Sequence, residues 1–193
     1  MSSEGNMSRR QFLLSSLAGL GAMAAPAAVS AIAGVQAGVD EFASHDEAIR
    51  EAWRLVEEEG VSRVIVKGDA ILSVERGRGV GPLIRLLASS PDLLKGATIV
   101  DSVAGRAVAA VAAKGGAVKV LARTASEGAK EVLAANGIPL EAKVLVGHIM
   151  NRDLTGTCPI EVATEGLENP QEIIVAARRK LDELRQSAKG VTA

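Results

Sequence analysis

The sequence predicts an α/β protein, a three-layer α/β/α sandwich built on a mixed five-stranded sheet. Three observations lead to that class. Short β-branched runs alternate with Ala- and Leu-rich helical stretches, the pattern of strands joined by helical crossovers. One pair of runs, Ser62 to Lys67 and Ala70 to Glu75, is joined instead across Gly68-Asp69, a tight hairpin that makes the sheet mixed. Aromatic residues are only Phe12, Phe42 and Trp53, with no Tyr, so the core must be packed from aliphatic side chains.

Each element has its own local signal. Ser44 and Glu47 have capping-box spacing, and Ile49, Trp53 and Val56 then share one face, which predicts a helix over 45–59 ended by Gly60. After the hairpin, Arg76-Gly77-Arg78-Gly79-Val80-Gly81-Pro82 reads as a loop whose proline opens a helix from Leu83 to Ala88. Ala97 to Asp101 reads as a short buried strand, followed by an Ala/Val helix from Ser102 to Lys114 and a Gly115-Gly116 stop. Ala117 to Ala122 is a further strand. Thr124 and Glu127 again have capping-box spacing and start a helix that ends at Asn136-Gly137. Ile138 to Val146 is the last strand, and Glu172 to Gln186 is an amphipathic helix with Ile173, Ile174, Ala177, Leu181 and Leu184 inward.

The N-terminus reads as an export signal. Gln11 to Val39 holds no charged residue, and Ser8-Arg9-Arg10-Gln11-Phe12-Leu13-Leu14 before it matches the twin-arginine pattern, with Leu14 where a Lys is common. Ala31-Ile32-Ala33 supplies a small-residue cleavage site. The expected organisation is a signal over 1–33, a linker over 34–43, one domain over 44–187 and a tail over 188–193, with an extracytoplasmic or periplasmic destination. The uncharged run is also long enough to stay as an N-terminal membrane anchor. Without residues 1–33 the chain keeps 20 basic and 22 acidic residues, a net charge of −2. Such a balance, with so few aromatic rings to stack on bases, argues against nucleic acid as a partner. The single cysteine, Cys158, permits no intrachain disulfide.

The order of elements is similar to that of the cytidine-deaminase-like fold, and Ala125 to Ile138 resembles the late helix and strand start of deaminases. Gly77 through Glu161 resembles a family known only as a domain of unknown function, which has this fold without the zinc. The residues that carry the likeness are Gly79-Val80-Gly81-Pro82-Leu83, Leu94-Lys95-Gly96-Ala97, Asp101 through Ala107, and Ile149 through Glu161. In deaminases one helix opens with His/Cys-x-Glu and the next with Pro-Cys-x-x-Cys, and together these hold zinc and shuttle protons. The resemblance places Val80-Gly81-Pro82 at the first start and Ser102-Val103-Ala104-Gly105-Arg106 at the second, with Val103 and Arg106 in the cysteine positions. It therefore implies no zinc-dependent deamination, and no cofactor is expected. His148, Asp153 and Cys158 are too loosely spaced to suggest a rebuilt metal site.

Arg106 would then put a permanent cation where a metal might have sat, at a helix N-terminus that favours anions. The candidate ligand-binding residues are Arg76, Gly79 and Gly81 in the glycine-rich loop, Asp101, Ser102 and Arg106 at the second helix start, and Asn151, Arg152 and Asp153 in the last loop. The plainer alternative is that Arg106 pairs with Asp101 or Asp153, that the glycines only permit turns, and that Asn151, Arg152 and Asp153 bond to one another. Cys158, before Pro159 at a short helix start, is a candidate nucleophile or redox thiol, or else a small buried hydrophobe. Three function classes follow. The first is a zinc-less module that binds a small anionic or nucleotide-like ligand. The second is a thiol enzyme using Cys158, and the third is an accessory factor docking an exported partner. A homo-oligomer is compatible with each.

Overall fold

The computed structural model describes residues 47–190. The export signal, the linker, Ser44 and His45 lie outside the described residues.

Helix α1 covers residues 47–58 and is stopped by Gly60 at φ 66°. The hairpin strands β1 (Arg63–Lys67) and β2 (Ala70–Glu75) follow, then α2 (Gly81–Ser89), β3 (Thr98–Ala104), α3 (Arg106–Gly115), β4 (Lys119–Ser126), α4 (Glu127–Ala135), β5 (Leu140–Val146), the short α5 (Pro159–Thr164) and α6 (Pro170–Gly190). The sheet order is β2-β1-β3-β4-β5. β1 is antiparallel to both neighbours, while β3, β4 and β5 are parallel, so β2 also runs in the direction of β3. The sheet is mixed, five-stranded and covered by helices on both faces, as the hairpin and the alternation predict.

The two faces are packed differently. Val64, Val66, Val100 and Leu121 face α1 through Ala48, Ala52 and Val56. Ile65, Ile99, Val120 and Ala122 belong to the larger core with α2, α3, α4 and α6. α3 lies at the centre of that layer, in contact with α2, α4, α5 and α6. Its composition explains how: Ala107 to Ala112 are all buried, and alanine and valine give a helix thin enough to be covered on every side. Gly115 must be glycine because a Cβ there would stand 2.7 Å from the Leu94 side chain.

Two expected boundaries differ. β3 continues to Ala104, since Val103 and Ala104 stay in register with Thr124 and Ala125 of β4, and α3 begins only at Arg106. β4 likewise continues to Ser126, so Thr124 lies in the strand and Ser126 is the residue whose hydroxyl accepts the Ala129 amide at 3.1 Å to cap α4. These shifts move the second helix start four residues along the chain.

Candidate functional site

β2 and β3 end at the same edge of the sheet and feed α2 and α3, and β1, which lies between them, begins there. In open α/β sheets the crevice outside the carboxyl ends of parallel strands is where ligands bind. Arg63, the first residue of β1, is opposite Glu75 on one side and Asp101 on the other. Cross-strand partners share a face, and of these two carboxylates Asp101 is the one that pairs with the guanidinium. Its Nε donates to Asp101 Oδ2 at 2.6 Å, and the two side chains are 4% and 2% exposed. Asp101 Oδ1 accepts the Val103 amide at 2.9 Å. Glu75 turns instead to the Gly77 amide, 2.6 Å away. Arg63 Nη1 is buried with no hydrogen-bond partner among the described residues. A donor left unpaired in the interior costs about 1–3 kcal/mol, so it calls for a reason.

The other candidates occupy different surroundings. Arg76 donates to the carbonyl and carboxylate of Glu59, at 3.1 and 2.9 Å, tying the hairpin to the end of α1 rather than facing the crevice. That guanidinium, followed by Arg54, holds the Glu59 carboxyl below the usual carboxylate range. Gly79, at φ 79°, has open space where a Cβ would stand, and Gly81 faces the Arg185, Arg85 and Leu181 side chains. Ser102 is inside β3, with its amide on the Ser62 carbonyl at 2.8 Å, and so is not at a helix start.

Arg106 does stand at the start of α3, but it is fully engaged. Its backbone amide donates to Glu161 Oε1 at 2.7 Å, its Nε to the Thr164 carbonyl at 3.0 Å, its Nη2 to the Leu167 carbonyl and its Nη1 to Glu131 at 3.2 Å. It pairs with neither Asp101 nor Asp153. Gly128 lets the side chain lie close, because a Cβ there would be 2.8 Å from Arg106 Cγ. Glu161, only 6% exposed, thus places the chain's own carboxylate at the α3 N-terminus. That is the position where a helix favours an anion. The expected free cation is a clamp that holds α5 and the turn after it.

The loop after β5 is a hairpin of its own. Met150 and Thr157 form an isolated antiparallel bridge, the Asn151 amide donates to the Gly156 carbonyl, and the Cys158 amide donates to the Ile149 carbonyl, both at 2.8 Å. Asn151 closes the tip, its side chain bonding the Thr155 hydroxyl and amide at 2.9 Å each. Arg152 and Asp153 are exposed at that tip, as is His148 before it. Leu154 has φ 57° and is 75% exposed. Cys158 is half-buried and precedes a helix of six residues. Among the described residues no group of three or more His, Cys, Asp or Glu side chains is placed to hold a metal ion.

The site therefore divides. The structure brings Asp101 together with Arg63, and the α3 start together with Glu161 and, near Gly105, Ile149. Arg76 is drawn away. Sequence reasoning passed over Arg63 and the capping role of Glu161. The signal for the first was present: Arg63 and Asp101 each stand in a mostly apolar, largely β-branched run, and charges buried in such runs are paired.

Residues 51–181 match the family described as a domain of unknown function, DUF1893. The chain belongs to the DUF1893 family. A crystal structure of a DUF1893 family protein (TM1506) from Thermotoga maritima shares the fold, with a TM-score of 0.63 and 21% identity over 69% of this chain and 90% of that one. No curated protein matches this DUF1893 chain.

Proposed function

We propose that this DUF1893 chain is a zinc-less module of deaminase-like fold that binds a small anionic or nucleotide-like ligand at the carboxyl edge of its sheet. The observation that carries this reading is the unpartnered, buried Nη1 of Arg63 between two strands that each feed a helix start. The strand order, with β1 antiparallel to its neighbours, supports the likeness to deaminases. The residues at the two starts, Val80-Gly81-Pro82 and Gly105-Arg106, offer no thiolate or imidazole with which to hold zinc. With Asp101 neutralising Arg63 and Glu161 filling the α3 start, the charge balance favours a ligand that presents an acceptor atom and at most one negative charge. Because the Arg63 side chain is only 4% exposed, the reading requires local opening of this end of the sheet for a ligand to reach it.

Native mass spectrometry of the full chain, set beside its denatured mass and metal content, tests the reading. Titrations with inorganic phosphate, a nucleoside and a nucleoside monophosphate follow, on the wild type and on Arg63→Met combined with Asp101→Leu. A bound species, or micromolar binding that the double variant loses, supports it. Equal binding by the folded double variant refutes the site, and no binding in any class refutes the function.

A second reading rests on Met150, Leu154 and Val162, exposed by 48%, 75% and 57% within one short segment. An accessory factor could dock a partner there, and loss of co-purification on Leu154→Asp would support that. The thiol reading rests on Cys158 alone, which is free and half-buried. Export through the twin-arginine pathway, with cleavage near Ala33 or retention as an anchor, is part of the same proposal. The mass of the chain recovered after secretion decides between the two.

A further inference from the structure

Among the described residues the sheet has two edges, β2 and β5. The register of β2 against β1 shifts between Ile65 and Val66, an irregularity of the kind that blunts an edge. β5 is regular over seven residues against β4 and leaves Val144 and Leu145 exposed by 51% and 41%. Its open side can be assigned. The Pro139 carbonyl accepts the Val120 amide of β4 at 3.0 Å. Since successive residues direct their amides and carbonyls to opposite sides of a strand, Glu141, Lys143 and Leu145 also bond toward β4. Leu140, Ala142, Val144 and Val146 present theirs to the edge.

We propose that β5 pairs antiparallel with β5 of a second copy of this chain, joining the two five-stranded sheets across a twofold axis at Ala142. The ladder requires that the outward residues face one another, and charge chooses among the registers that remain. Centring the pair on residue 141 sets Glu141 against Glu141, and centring it on 143 sets Lys143 against Lys143, both repulsive. Larger displacements shorten the ladder. With Ala142 opposite itself, Glu141 of each copy faces Lys143 of the other, twice, at the positions where opposed side chains approach most closely. Each of these two keeps more than half of its side chain exposed, at 67% and 53%, although Glu141 reaches Lys119 and Lys143 reaches Glu57 within the chain. On the opposite face Leu140 meets Val144 and covers its exposed surface. The adjoining groove of about 490 Å³, lined by Lys130, Ala134, Ile138 and Leu145 among others, extends the contact along α4. The symmetry is isologous, as closed dimers require.

Sedimentation equilibrium of the full chain tests this. The wild type is expected to dimerise with a micromolar dissociation constant. Glu141→Lys and Lys143→Glu are each expected to weaken it about tenfold, and the double exchange to recover most of the loss. Ala142→Pro removes an amide that points only outward. It should abolish the dimer while leaving the far-UV circular dichroism of the fold intact. A wild type that stays monomeric up to roughly millimolar concentration, a dimer indifferent to the charge reversals, or a double exchange that recovers nothing would overturn the proposal.

Discussion

Breaking the Arg63–Asp101 pair one side at a time should cost far more than removing it whole. In Arg63→Met the Asp101 carboxylate stays buried, 2% exposed, with only the Val103 amide at 2.9 Å to hold its charge. In Asp101→Leu the guanidinium stays buried at 4% exposure, and its Nη1 is already without a partner. Losing one member of a buried pair costs about 3–5 kcal/mol, because the survivor is an uncompensated charge. The double variant removes both charges and puts aliphatic side chains beside Ile65 and Ile99, so it should stay within about 1 kcal/mol of the wild type. The expected coupling is therefore at least about 5 kcal/mol and opposite in sign to the single costs. Urea unfolding followed by circular dichroism and by the fluorescence of Trp53, the only tryptophan, measures all four chains. Single variants that each cost under about 1 kcal/mol, or a double variant as unstable as the sum of its parts, would refute the account of a pair that is costly to break and cheap to remove. If the double variant folds and a ligand no longer binds, recognition at this edge rather than stability is what retains the pair.

Glu161→Ala should lower stability by about 1–3 kcal/mol, since it strips the acceptor from the half-buried Arg106 amide, and Glu161→Gln by less, since an acceptor remains; paired thermal melts check the order. Leu154→Gly should stabilise by roughly 0.5–1 kcal/mol, read as a shift in the urea midpoint, because φ 57° strains a leucine whose exposed side chain loses little. Arg76→Ala should let the Glu59 carboxyl titrate closer to its ordinary value in an NMR pH series. The sign is that of a depressed acid: the pair contributes fully above the unfolded carboxylate pKa, and the contribution is lost as pH falls through the lower folded value.

Local signals were enough for the fold because they agree with the pairing. Gly68-Asp69 between two β-branched runs can only turn back, and the Ala/Val stretch of α3 is apolar on all sides because it is covered on all sides. Local signals failed where pairing with a distant strand decides the outcome. Ser102-Val103-Ala104 has the small residues of a helix start, yet its ladder to β4 keeps it extended. Thr124 and Glu127 have the spacing of a cap, yet Thr124 is held in β4 and the neighbouring serine does the capping. The site was legible in Asp101 and in the place of the loop after β5. It was illegible in Arg106, whose partners lie 25 to 61 residues away and include two carbonyls that no sequence pattern marks.

The place of Glu161 at the start of α3 bears on the proposed anion site. A helix start with open amides attracts anions through its partial positive charge. Here the first amide of α3 is taken by a buried carboxylate, and α5, which supplies it, is held in turn by the guanidinium of the residue it caps. Removing Glu161 from this position would break the cap and loosen the clamp on α5 together, so an incoming phosphate would have to displace a whole helix rather than one side chain. Arg63 is under no such constraint. Its Nη1 can gain a hydrogen bond without any protein group giving one up, whereas the Arg106 guanidinium already bonds two carbonyls and a carboxylate. That difference in unspent hydrogen-bonding capacity is why the proposal rests on Arg63 and not on Arg106.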